Sequence, residues 1–187
     1  LWTIQGLNFV QTAVVDPASN PAGNILDVYT GRDHYTLDLS KPVGQQATLV
    51  GYTWSNFTAS SNADGINQYN GGLNTDQVIV RINGQKFMIV GAARIYRFNG
   101  DLAIPCGNIS PGSLGTPGSY WYDANADGLE QVSEVTSYGS GLFQAQQSVD
   151  ASGNIYLLNN NRIYVNRMIG LDAHGVPQYQ MDSTGIA

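Results

Sequence analysis

Three stretches of the chain run through the same order of events: "VVDPASNPAGNILDVYTGRDHYTLDL" (14–39), "VIVRINGQKFMIVGAARIYRFNGDL" (78–102) and "SVDASGNIYLLNNNRIYVNRMIGLD" (148–172). Each reads as a strand, a Gly-containing turn, a second apolar strand, a tight turn, and a third strand opened by arginine. The arginines are Arg32, Arg94 and Arg162, which recur at nearly even intervals along the chain. A second landmark keeps the same interval. "TWSNFTASSNADG" (53–65) and "YWYDANADG" (120–128) each join a Trp to Asn-Ala-Asp-Gly. Asp127 follows Asp64 at almost the distance by which Arg94 follows Arg32. Two landmarks with one period constrain the fold more than any composition does.

The repeated material is β in character. No window sustains apolar residues at i, i+3, i+4, i+7. Short β-rich runs broken by Gly, Asn and Pro recur instead. They predict strands at 25–30, 34–39, 47–54, 77–82, 86–91, 94–98, 155–159 and 162–168. A meander of short strands at this interval reads as β-propeller-like blades. The excess length falls in Gly/Ser/Pro-rich connections such as "CGNISPGSLGTPGS" (106–119). The expectation is a single all-β region over 1–187, with repeat units of approximately 12–76, 77–146 and 147–187, the last truncated. Closing a propeller takes at least about four blades. The two and a half read here are therefore expected to be part of a larger propeller, completed by other segments or chains. The alternative is a β-sandwich of ordinary hairpins.

The loop "DANADGLEQVSE" (123–134) fits the EF-hand calcium-loop template position by position. Asp123 stands at position 1, Asn125 at 3, Asp127 at 5, and Gly128 at the turn. The Leu129 carbonyl is at 7, Gln131 at 9 and Glu134 at 12. Ca²⁺ takes six to eight oxygens, and alternation turns successive side chains inward along a curled backbone. The competing reading is a metal-free Asx-type turn. The flanks are not those of an EF-hand: "GTPGSYWY" precedes and "VTSYGSG" follows, with room for at most one helical turn near Gln131–Glu134. The sister loop "SSNADGINQYNG" (60–71) keeps Asn62, Asp64 and Gly65, but has Ser60 and Gly71 where Asp123 and Glu134 stand. It reads as a decayed copy.

"VDASGNIYLLNNNRIYVNRMIGLDAHGVPQY" (149–179) resembles blade segments of secreted bacterial propeller proteins of the NHL-like type. There, a D-x-x-G-N-I-Y turn enters a strand and G-x-D-x-x-G-x-P-x-Y closes the next hairpin. The 123–134 loop is similar to the calcium loops in blades of integrin-type and related propellers. The resemblance covers most of the chain at repeat level. It implies an architecture, an extracellular or cell-surface location and Ca²⁺, but no activity, since propellers of this kind include enzymes, adhesins and scaffolds.

Charge and the remaining candidates narrow the function classes. Net charge is −6, and the 8 basic residues are scattered. That argues against binding nucleic acid or an anionic membrane. Charged residues make up only 12% of the chain. The usual share is about twice that, roughly 25%. No apolar run reaches the roughly 18 residues of a membrane helix. No basic, apolar leader opens the chain, which reads as a mature, trimmed or internal piece. Cys106 is the single cysteine, read as a half-buried residue in a turn-rich loop, "AIPCGNISPG". His34 and His174 fall in a strand and in a hairpin turn. No G-x-S-x-G elbow, C-x-x-C-H, Walker loop or zinc cluster exists. Arg32, Arg94 and Arg162 are candidates for binding an anionic ligand around a channel, weighed against a structural role. Sequons stand at Asn56 and Asn108, in or beside expected surface loops.

The expected function is a calcium-stabilised extracellular propeller segment for binding or surface assembly, with a protein or glycan ligand. The alternative is part of a propeller-scaffold hydrolase, lyase or oxidoreductase whose catalytic residues lie mostly outside this chain.

Overall fold

The computed structural model describes residues 13–19, 23–30, 33–52, 77–91, 94–112, 117–138, 146–159 and 161–186. Within them the protein is all-β, and no helix is long and apolar enough to cross a membrane. The first sheet joins β1 (Ala13–Val15), β2 (Ile25–Thr30), β3 (Asp33–Asp38) and β4 (Ala47–Tyr52). The second joins β5 (Gln77–Ile82), β6 (Gln85–Val90), β7 (Arg94–Asn99), β8 (Leu102–Ser110), β9 (Gly118–Tyr122) and β10 (Val135–Tyr138). The third joins β11 (Gln146–Val149), β12 (Ile155–Asn159), β13 (Arg162–Leu171) and β14 (Pro177–Gln180). Every pairing is antiparallel, strands neighbour in sheet order as they do in sequence, and none of the three sheets closes on itself. A propeller segment and a β-sandwich fit this arrangement equally.

The second sheet is buried on both faces. Along β6, Phe87 and Ile89 join Val80, Ile95, Cys106, Ile109 and Tyr120 in one core, which takes Ile155 and Leu157 of β12, Val176, and Tyr179 of β14 from the third sheet. The intervening Met88 and Val90 point the other way, with Ile79, Tyr96, Ala103 and Trp121, onto Tyr29 of β2. This explains why "KFMIV" shows no polar alternation: successive side chains alternate between faces, and both faces are dry. In the third sheet β12 does alternate, with Ile155 and Leu157 buried and Leu158 exposed.

The seam between the first two sheets also carries charge. Arg81 of β5 donates to Asp16, which is buried, at 2.6 Å. Lys86 of β6 donates to the Tyr29 hydroxyl at 2.6 Å and lies 4.2 Å above the Phe98 ring. Burial lowers the Lys86 pKa and raises that of Tyr29. His34 is buried here, stacked on Tyr29 with centroids 4.5 Å apart and hydrogen-bonded to Asp27 at 2.8 Å. A cation held above aromatic faces with its charge partly answered by a buried carboxylate is a specific, geometry-dependent contact.

One strand corrects the sequence reading. "AIPCGNISPG", read as a turn-rich loop, lies mostly in β8. Pro105 and Gly107 are accommodated by a bulge: Ile95 pairs Gly107 and Tyr96 pairs Pro105, so Cys106 has no partner across the ladder. A bulge changes which face successive residues meet. Ala103 accordingly faces the first sheet's core while Cys106 and Ile109 face the third's. Cys106 is fully buried, not half-buried, and burial holds its thiol pKa far above the usual range. Asn108 of the second sequon lies in this strand, paired with Arg94 and Trp121 rather than in a loop.

Candidate functional site

The 123–134 segment connects β9 to β10, the hairpin that extends the second sheet beyond β8. The strands flanking it, and the single 3-10 turn at Val132–Glu134, leave no EF-hand helices on either side. Trp121 on β9 pairs Val135 on β10 and anchors the hairpin in the core facing the first sheet. Two left-handed residues, Ala126 at φ 59° and Gly128 at φ 78°, curl the backbone between them.

The polar side chains of the loop bond chiefly to its own backbone. Asn125 Oδ1 accepts from Asp127 N at 3.0 Å, and Asp127 Oδ1 accepts from Leu129 N at 2.8 Å. Asp123 Oδ2 reaches across to Gly128 N at 3.1 Å. Asp127 Oδ2 accepts from the Gln131 amide at 2.7 Å and the Asn125 amide at 3.1 Å. Glu134 Oε1 accepts from Ala124 N at 3.0 Å and Asn125 N at 3.4 Å, and its Oε2 accepts from the Trp121 indole at 3.0 Å. Asp123, Asn125, Asp127, Leu129, Gln131 and Glu134 are thus on one small loop. The three carboxylates are nevertheless not gathered round a point: among the described residues no group of three or more His, Cys, Asp and Glu side chains forms a metal-holding cluster.

One atom breaks the self-sufficiency of the loop. Asp123 is fully buried, and its Oδ1 has no hydrogen-bond partner. Burial raises the Asp123 pKa, the Gly128 N–H opposes that rise, and the Glu134 charge adds to it. A buried carboxylate oxygen without a donor or cation is costly. The donor set fits a hard cation by chemistry, all oxygen and with a carboxylate already desolvated at position 1.

Sequence reasoning missed three supports of this loop. Arg97 of β7 donates to the Ala126 carbonyl at 2.7 Å, tying the loop to the sheet. Ile104 of β8 packs so close to Gly128 that a Cβ there would sit 2.8 Å from its Cγ2. Trp121 is tied to Glu134 through its indole. Of these, only Trp121 left a trace in the sequence, through the Trp-to-Asn-Ala-Asp-Gly landmark.

The other candidates lie elsewhere. Arg94 opens β7 and Arg162 opens β13, on different sheets. The Arg162 guanidinium donates to the carbonyls of Thr184 at 2.8 Å and Gly185 at 3.4 Å, a structural use. Arg32, the sister loop at 60–71 and the Asn56 sequon lie outside the described residues. His174 is exposed in the β13–β14 turn. In comparisons with known proteins, no family model, no curated protein and no solved structure matches the chain.

Proposed function

We propose that this chain is a calcium-stabilised module of consecutive propeller-like sheets, acting in binding or assembly at the cell surface or outside the cell, with further segments or chains completing the propeller. The observation that carries the calcium reading is the buried, unpartnered Asp123 Oδ1 at the first position of a D-x-N-x-D-G loop. Asp123, Asn125, Asp127, the Leu129 carbonyl, Gln131 and Glu134 would hold the ion. Bound Ca²⁺ supplies the positive charge that the buried carboxylate lacks and closes a connection that has no apolar core of its own.

Two regularities support the blade reading. Each sheet begins with four strands in simple meander order, the second continuing to six, and the sheets stack in chain order. In all three, the pairing of the third and fourth of these strands is interrupted by one residue: Val50 in β4, Cys106 in β8 and Ile169 in β13. In the first two sheets the interruption falls between the second and third residues of the third strand, at His34/Tyr35 and Ile95/Tyr96. An irregularity at a matching place in successive sheets is what repeated blades would carry.

Isothermal titration with CaCl₂ against EGTA-treated protein, paired with thermal melts, tests the calcium reading. The expected result is saturable binding and a melting temperature that rises with Ca²⁺, both lost in Asp123→Ala. Equal melting curves in Ca²⁺ and EGTA, with no heat of binding, would sink it.

A further inference from the structure

Glu134 stands at the twelfth place of the calcium template, but its bonds are not those of the template. At the twelfth place of such a loop a glutamate turns both oxygens to the ion. Here both oxygens are committed elsewhere: Oε1 to the backbone N–H groups of Ala124 and Asn125, and Oε2 to the Trp121 indole. Three N–H donors on one carboxylate make a charge-assisted set that fastens the end of the loop to its beginning. The ends of the set differ in freedom. Glu134 closes a 3-10 turn that contains no buried residue. Trp121 is almost fully buried, among Tyr29, Met88, Val90 and Tyr96 at the seam with the first sheet. A change at Glu134 therefore needs little repacking, whereas its effect is felt by a side chain in the core.

We propose that Glu134 is an ion-dependent latch. Without calcium it closes the loop through Ala124, Asn125 and Trp121; calcium draws both carboxylate oxygens to the ion and releases the Trp121 indole from Glu134. This rests on the calcium reading above. An ion bound near Asp123 Oδ1 offers Glu134 a full positive charge in place of three dipoles, which favours the exchange. Trp121 belongs to the core beneath the first sheet, so the loop's state is passed to the seam rather than staying local.

The test uses the whole chain labelled with ¹⁵N, with the Trp121 indole resonance assigned by its loss in Trp121→Phe. CaCl₂ is titrated while binding is followed in parallel by calorimetry. The expected result is a Trp121 indole shift that tracks the binding isotherm. In EGTA, Glu134→Ala moves the same resonance away from its wild-type position, because the latch is gone. Glu134→Gln binds calcium more weakly by more than about tenfold, the loss typical even of groups one step removed from a metal. Calcium binding with an unmoved Trp121 indole would overturn the latch and leave the calcium reading standing. No binding and no shift would overturn both. An EGTA spectrum unchanged by Glu134→Ala, or a calcium-driven Trp121 shift that persists in that variant, would also overturn the latch.

Discussion

Aspartate does one job repeatedly in this chain, and that job explains much of its acidity. The carboxylates of Asp16, Asp38, Asp127, Asp150, Asp172 and Asp182 each accept the N–H two residues further on. These are Asx-type turns, which let one side chain stand in for a backbone partner at a chain reversal. The surplus of acidic residues is therefore not by itself a sign of cation binding. Asp123 departs from the pattern: the Asn125 N–H goes to Glu134 instead, and Asp123 turns to Gly128, leaving Oδ1 unanswered. That difference separates it from the ordinary turns, although the sequence motif presents all of them as similar polar loops. Gly128 makes the arrangement possible, and a pair of substitutions measures how much of its role is space. Gly44 has φ +91° with nothing within 4 Å of a new Cβ. Gly44→Ala should therefore cost about 1 kcal/mol from backbone strain alone. Gly128→Ala adds the contact with Ile104 and should cost about 2–3 kcal/mol in urea unfolding. Equal losses would mean that Ile104 yields freely and does not shape the loop.

At the scale of strands, legibility followed local chemistry. The predicted strand at 25–30 coincides with β2, and those at 77–82 and 155–159 with β5 and β12, because their β-branched and aromatic runs end at Asn and Gly. Asn83 and Gly84 both take the left-handed conformation, at φ 51 and φ 81. They close the β5–β6 hairpin as an Asn-Gly pair should. β8 was hidden because Pro105 and Gly107 break the local pattern, and only its pairing with β7 shows that a bulge absorbs them. The C-terminal turn was not legible either. Asp182 receives N–H groups from Thr184, Gly185 and Val165, the last of them on β13. Burial would raise its pKa, but the backbone N–H groups of Thr184, Val165 and Gly185 outweigh burial and lower it from 3.8 to about 2. A depressed carboxyl contributes stability that is present above its unfolded value and lost as pH falls through the folded one. Between about pH 4 and pH 2, hydrogen exchange at the Val165 amide should therefore accelerate in the wild type more than in Asp182→Asn. Identical acid profiles for the two proteins would show that the turn does not depend on this charge.

In the whole molecule, the second sheet is the layer on which the other two depend. The absence of polar alternation in "KFMIV" follows from its two buried faces, and the identity of the two neighbours is not written in that run. Those shared cores join residues far apart in sequence, such as Tyr29 with Met88 and Phe87 with Leu157, and no local pattern encodes them. Adjacent residues on one strand thus report on opposite interfaces. Phe87 and Met88 are both fully buried. Phe87→Ala and Met88→Ala should therefore each destabilise the protein, by about 3–5 and about 2–5 kcal/mol respectively. The distribution of the damage is the sharper quantity. Phe87→Ala opens a cavity against β12 and β14, so amide protection should fall first in the third sheet. Met88→Ala opens one against Tyr29, so it should fall first in β2 and β3. The Arg81–Asp16 pair should keep the first sheet attached in the former variant and carry a larger share of that attachment in the latter. Adding Arg81→Met should therefore cost more on the Met88→Ala background than on the Phe87→Ala one, as groups bridging the same interface are coupled. Uniform loss of protection across all three sheets from either single variant would mean that the layers unfold as one unit and that the central sheet transmits every defect to both sides.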